Sequence, residues 1–441
     1  MSEYADISIK KLSIMWFRNY LNPYIVSLFF SDKDLHITPN CKIDLDDEES
    51  DEYTQYVYKT TVKKAKERLD ARGFSIFNLE KIFNNNLFQV VDYSAFLYHL
   101  NVDYDQYEEI ALERCKKQVS FKKWKNAMHK IVSYELENGN IGRHDVITDL
   151  GINTECEKII YYALKDDNAE SSYGLDTEHV HIAYVFRLIL ESCDDYDDII
   201  LDFSSIQYWD EDCIPKAISA TENVEKTIVL VEGTSDKDIL EFAIKHIYPH
   251  LSDLFYFMDF DDSNGAKRDG GTSYVIKNLK TFYFSKLDSK FIAIFDNDAE
   301  GYSSKCTLFN EIKQWPNNFR ILLYPEDKLF RRYPTIAPNG TIMLDNIIGK
   351  ACSIELYLPN SLIQVNGEYL PIEWEARKKI KTQNGCEEAI YQGVISQKIE
   401  IKENFHELRK NIENGQKVFM PIEWERMKKL LDTIVFAFVR E

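Results

Sequence analysis

Residues 226–236 read Lys226-Thr227-Ile228-Val229-Leu230-Val231-Glu232-Gly233-Thr234-Ser235-Asp236, and residues 291–298 read Phe291-Ile292-Ala293-Ile294-Phe295-Asp296-Asn297-Asp298. Each stretch is a short, unbroken apolar run that ends in acid. Runs of Val, Ile and Leu followed by a helical pattern are the signature of strands buried on both faces of a parallel sheet. In such sheets the residues just past the carboxyl ends of the strands line the ligand crevice. The two runs therefore place Glu232, Asp296 and Asp298 at adjacent strand tips.

Working outward, strand and helix alternate. Strands are expected at 226–231, 254–259, 291–295 and 319–324, with helices at 235–247, 273–284 and 302–314. This spacing predicts an α/β unit with right-handed crossovers between parallel strands. It spans residues 223–360. Ahead of it, residues 1–222 read as a mainly helical domain, with helices at 58–71, 107–119, 121–137 and 179–192. A hairpin is expected there across Ser31-Asp32-Lys33, and an acidic, proline-containing linker at 210–220. After it, residues 361–441 read as a helical extension. There Leu370-Pro371-Ile372-Glu373-Trp374-Glu375 is echoed by Met420-Pro421-Ile422-Glu423-Trp424-Glu425. Proline in a first turn followed by acids suits a helix start, so both copies are expected to begin helices.

The 441 residues, 44% hydrophobic and 13% aromatic, are enough for two or three domains with real cores. Met1–Asp6 is polar and acidic, no charge-free run reaches bilayer length, and the eight cysteines contain no CxxC pair. A cytoplasmic protein with reduced thiols is the expectation, with no membrane partner. The net charge of −20 argues against a protein that coats nucleic acid. It does not argue against a nuclease, because the acid is concentrated in residues 44–52 and 194–212. Lys267, Arg268, Lys277, Lys280, Lys286 and Lys290 form a contrasting basic stretch that could track phosphates.

Carboxylates at strand tips suit a hard divalent cation. Mg²⁺ takes oxygen ligands, keeps several waters, and needs only one or two carboxylates besides substrate phosphates. Both acids of a D-x-D can reach one ion as the chain turns away, and a neighbouring acid can hold another or move a proton. Gly233 permits a tight turn after Glu232. Thr234 or Ser235 would cap the following helix, whose N-terminus is a natural phosphate site, and Asp236 could add an oxygen. Asp259, Asp261 and Asp262 follow the second strand, and Lys350, Glu355 and Asp345 are more distant candidates.

At these residues the chain resembles the Toprim fold, a Rossmann-like parallel sheet shared by topoisomerases, primases and the overcoming-lysogenization-defect (OLD) nucleases. Val231-Glu232-Gly233 and Asp296-Asn297-Asp298 fill the two hallmark positions in order. The acid four residues past the glutamate looks most like the OLD-type subgroup. The resemblance implies phosphodiester chemistry with one or two Mg²⁺ or Mn²⁺ ions held by Glu232, Asp236, Asp296 and Asp298. It also implies a late acid, for which Glu355 is the candidate, with Lys350 as a nearby charge stabiliser. Independently of the resemblance, Gly233, Thr234 and Ser235 at the helix start and Lys267 and Arg268 in the basic stretch are candidate phosphate contacts, and the loop after Asp259 either closes over substrate or, as its glycines favour, is a flexible connection.

Residues 56–75, YVYKTTVKKAKERLDARGFS, resemble the domain that precedes Toprim in HEPN/Toprim-associated proteins of bacterial conflict systems. HEPN ribonucleases carry R-x4-6-H, and none of the nine histidines has an arginine at that distance upstream. The N-terminal region is therefore expected to recognise, scaffold or dock. The chain has no G-x-x-x-x-G-K-[ST], so nucleotide sensing would fall to a separate ATPase or sensor subunit. The overall expectation is a Mg²⁺-dependent nuclease acting on DNA or tRNA in anti-phage defence, with a homo-oligomer left open. The alternative is a non-catalytic scaffold that binds nucleic acid or a partner.

Overall fold

Burial alternates along the first two strands, β1 (Tyr4–Ile9) and β2 (Leu12–Arg18), with Ala5, Ile7, Ile9, Leu12, Ile14 and Phe17 turned inward. This period of two is the mark of a sheet with one covered face. The computed structural model describes residues 4–42, 52–85, 117, 119–139, 150–152, 180–206, 212–222, 224–258, 271–337, 339–381 and 387–439. Two compact units emerge, Met1–Val224 with Val439–Glu441, and Glu225–Phe438.

In the first unit, β3 (Leu35–Lys42), β4 (Glu52–Thr61) and β5 (Asp198–Asp202) join the opening hairpin in an antiparallel sheet of order β2-β1-β5-β4-β3. Helices Val62–Ala71, Phe121–Asn138 and Ile182–Leu190 contribute Leu69, Trp124, Met128, Ile131 and Phe186 to the same core as Ile7 and Leu201. Among the described residues this unit holds more helix than strand, and its five-stranded sheet is an addition to the mainly helical expectation. The helix expected from Tyr58 starts only at Val62, because Val57, Tyr58, Thr60 and Thr61 pair with β5 and the Thr61 hydroxyl then caps the helix at Lys64 N–H.

The hairpin expected around Ser31 is also corrected. Asn22 caps a helix over Pro23–Phe29, and its five consecutive buried residues, Ile25 to Phe29, imitate a buried strand. Periodicity cannot separate the two in so short a run. The expected linker is largely the helix Cys213–Glu222. Nearly all of the helix expected at 107–119 lies outside the described residues.

The second unit is built on β6 (Thr227–Leu230), β7 (Phe255–Met258), β8 (Phe291–Phe295) and, after the two-residue β9 (Asn297–Asp298), β10 (Phe319–Leu323). The four longer strands run parallel in the order β10-β8-β6-β7. All five residues of β8 are buried, as a central strand covered on both faces requires. Helices Thr234–Ile247, Thr272–Phe284 and Ala299–Glu311 form the crossovers.

The chain continues through β11 (Tyr333–Ile336), β12 (Ile342–Asp345), β13 (Ala351–Cys352), β14 (Gln364–Val365), β15 (Glu368–Tyr369), β16 (Ile372–Lys381) and β17 (Glu387–Ile395). Helices Lys398–Glu413 and Glu425–Val435 follow. A second four-stranded sheet has the order β12-β11-β16-β17, and β13 pairs with β9. The region expected as a helical tail is therefore partly sheet. Its repeat splits: the first copy runs into strand β16, whereas the second forms a turn of 3-10 helix at Pro421–Trp424 that leads into a helix. No helix among the described residues is long and apolar enough to cross a membrane.

Candidate functional site

Parallel pairing of Leu230 with Ala293 sets the tips of β6 and β8 side by side. Glu232 is delivered just past the first tip, and its Oε1 accepts the backbone N–H of Asp296 at 3.0 Å. The Glu232 carbonyl accepts the N–H of Gly271 at 2.9 Å, which anchors the same corner from its backbone side. Gly233, not Thr234 or Ser235, is the N-cap of the next helix. In place of a hydroxyl cap, Asp236 in the first turn reaches back to the Gly233 N–H. Thr234 and Ser235 occupy the first turn without capping it.

Asp296 and Asp298 have different surroundings. Asp298 caps the Ala299–Glu311 helix, its Oδ1 accepting Gly301 N–H at 2.8 Å, and its Oδ2 accepts from the Gln392 amide. Asp296 Oδ1 is buried with no hydrogen-bond partner among the described residues. Between them, Asn297 donates from Nδ2 to the Tyr324 carbonyl at 2.9 Å, and its own carbonyl accepts Gly349 N–H at 3.1 Å. The middle residue of the D-x-D is thus a structural tie. Two close approaches hold the corner: a Cβ on Gly301 would lie 2.1 Å from the Asp296 carbonyl oxygen, and one on Gly393 would lie 2.3 Å from Ile372 Cγ2 and 2.6 Å from Ala351 Cβ. The second approach seats β17 against β13 and so brings Gln392 to Asp298.

Glu355 is fully buried in a short 3-10 turn, with Ser353 Oγ donating to its Oε2 at 2.6 Å. Lys398 and Lys402, one turn apart on the Lys398–Glu413 helix, place their ammonium groups 3.3 and 3.4 Å from Oε1. Neither is aligned for a hydrogen bond to that oxygen, so the interaction is mainly charge with charge. Burial opposes ionisation of Glu355, but the two lysines prevail and hold its carboxyl below the usual range. Sequence reading missed both lysines and Gln392, since nothing local ties residues so distant to the strand tips. Lys350, expected as the charge stabiliser, is bridged through its backbone to Asp298 and holds its ammonium 5.9 Å from the centre of the Trp374 ring. Asp345 lies on β12 in the other sheet. Asp259, Asp261, Asp262, Lys267 and Arg268 lie outside the described residues.

The electrostatics follow from burial and crowding of like charge. Desolvation pushes Glu232 up to about 8, reinforced by Asp298 and Asp236 and opposed by the Asp296 N–H. Asp236 is pushed up to about 7 by burial and then by Glu355, with Lys402 and Lys398 opposing. Asp296 is raised well above the carboxylate range by burial, then by Glu232 and Asp236, and Asp298 is raised by burial. The donor set is one of hard oxygens short of positive charge, with one buried carboxylate oxygen unpartnered, and chemically it fits a divalent cation. No group of three or more His, Cys, Asp or Glu side chains among the described residues is placed to enclose an ion. Mg²⁺, which keeps most of its waters, does not need such a cage.

By fold and site, the second unit is an α/β domain whose parallel sheet carries a carboxylate cluster at its strand tips. The chain belongs to the HEPN/Toprim family: the family model described as HEPN/Toprim N-terminal domain 1 matches residues 1–221. No curated protein and no solved structure matches the chain.

Proposed function

We propose that this chain is a Toprim-type, metal-dependent nuclease that hydrolyses phosphodiester bonds of DNA or tRNA as an effector of bacterial anti-phage defence. The observation that carries the reading is the buried, unpartnered Asp296 Oδ1 beside Glu232, at the carboxyl ends of neighbouring parallel strands. Asp296, Glu232 and Asp236 would hold Mg²⁺ or Mn²⁺, with the remaining lone pairs of Asp298. The bound ion would supply charge neutralisation at the transferring phosphorus.

The chain's own groups supply the rest. Of Glu232 and Asp236, whichever the ion leaves free would take a proton from water or give one to a departing oxygen. The N-terminus of the Thr234–Ile247 helix presents backbone N–H groups and a positive dipole end to a phosphate. Glu355 is kept anionic by Lys398 and Lys402, and at Asp236 the two lysines oppose its charge.

Incubation with supercoiled plasmid, linear duplex and total tRNA, in Mg²⁺ or Mn²⁺, tests the proposal. Metal-dependent cutting by the wild type, lost in both Glu232→Ala and Asp296→Ala, is the expected result, and the substrate cut separates DNA from RNA. Cutting that survives both substitutions overturns the assignment. Retained nucleic-acid binding without cutting, in the presence of infected-cell extract, would favour the scaffold reading.

A further inference from the structure

Strand β12 lies at the edge of its sheet and carries three consecutive large apolar side chains, Ile342, Met343 and Leu344, exposed by 67%, 50% and 54%. Natural sheets blunt such edges with lysine, proline, bulges or a covering element, because a bare edge invites another strand. None of those devices interrupts Ile342–Leu344.

The hairpin register identifies which backbone groups are open. Ala337 N–H bonds to the Thr341 carbonyl, so the bonded pairs with β11 continue at Thr335–Met343 and Tyr333–Asp345. Ile342 and Leu344 are therefore the non-bonded members, and their N–H and C=O groups point away from β11. Pro334, which has no N–H, faces Leu344 across the hairpin, where that donor is not needed.

We infer that β12 pairs antiparallel with β12 of a second copy of this chain about a two-fold axis at Met343. In that register Ile342 of one copy and Leu344 of the other exchange both hydrogen bonds, so all four outward groups of each strand are satisfied. On one face two isoleucines meet two leucines, on the other the two Met343 side chains meet, and Thr341 faces Asp345 without juxtaposing like charges. The edge is self-complementary in hydrogen bonding and in apolar side chains and sets no like charges together, and this favours a second copy over an unrelated strand. The two sheets become one sheet of eight strands. The inference is independent of the chemistry at the strand tips.

Sedimentation equilibrium of the full chain should give twice the 51.8 kDa chain mass. Leu344→Pro removes an outward N–H without touching the bonds to β11, and should return the mass to that of one chain with the circular dichroism spectrum unchanged. Met343→Cys provides a second test that does not depend on that variant folding. The residues at the axis form a non-bonded pair with Cα atoms about 4.5 Å apart, within disulfide reach. Mild oxidation should cross-link Met343→Cys into dimers, and should not cross-link Ile342→Cys or the wild type. A wild-type chain that sediments as a monomer overturns the inference and leaves the edge to a strand from another protein. A dimer that Met343→Cys does not cross-link overturns it in favour of another surface.

Discussion

Glu232 accepts the backbone N–H of Asp296 at 3.0 Å, so one site acid is hydrogen-bonded to the main chain of another. A glutamine at 232 retains an acceptor for that N–H and cannot ionise in the crowded acidic cluster, where burial pushes Glu232 up to about 8. Glu232→Gln should therefore be at least as stable as the wild type without divalent ions, yet inactive. Glu232→Ala should be less stable than Glu232→Gln by about 1 kcal/mol, the usual net value of one hydrogen bond. Denaturant midpoints of the two variants decide the matter, and equal midpoints would show that the bond contributes nothing.

The acid cluster sets a pH dependence of definite sign. Glu232 and Asp236 titrate higher in the folded chain than their ordinary values of 4.5 and 3.8, so the folded state binds more protons than the unfolded state between those values and about 8. Stability in chelator should then be greatest in acid and fall as pH rises toward 8. Mg²⁺ should flatten the decline, since an ion that binds only the folded state adds stability by mass action. Thermal melts from pH 5 to 8, with and without Mg²⁺, check this. A chelated protein that gains stability across that range would contradict the picture.

Gly301→Ala should be severe for so small a change. The added methyl would stand 2.1 Å from the Asp296 carbonyl oxygen, a backbone atom that cannot swing aside. A loss of about 2 kcal/mol is expected for overpacking of this kind. Cleavage should fall with it, because the turn carrying both aspartates must shift. Unfolding midpoints and cleavage rates at saturating metal measure the two effects separately.

Replacing both Lys398 and Lys402 with methionine leaves Glu355 as a fully buried carboxylate without a counter-charge. The expected cost near neutral pH is about 3 kcal/mol, typical of breaking a buried ion pair by removing one side. Lowering the pH should shrink the cost as Glu355 takes up a proton. A pH-independent loss would mean that the lysine stems matter through packing alone.

Local patterns in the sequence reveal part of this molecule. The runs Ile228–Leu230 and Phe291–Phe295 are strands because each must be apolar on both faces, and that requirement is visible residue by residue. Their terminal acids were legible for the same reason, since a strand tip is a fixed place in a parallel sheet. Gln392 was not legible, because its route to Asp298 runs through the packing of Gly393 against Ile372 and Ala351, and Lys398 and Lys402 were not, because nothing local ties their helix to the Glu355 turn. The Pro23–Phe29 helix was misread for a different reason: a run of five buried residues carries no period.

The repeated segment shows how far context can overrule local sequence. Pro-Ile-Glu-Trp-Glu is extended where β11 and β17 flank it, and wound where Trp424 stacks on Phe419 and leans on Phe242. Its intrinsic bias toward either form must be weaker than the packing on offer at each place. The first copy cannot become a strand until β17 folds back on it and β11 pairs from further up the chain, whereas the second leads into a helix whose bonds are local. Amide protection during refolding should therefore appear in Glu425–Val435 before Ile372–Lys381. One phrase of sequence, written twice, would act as an early landmark at one address and a late arrival at the other.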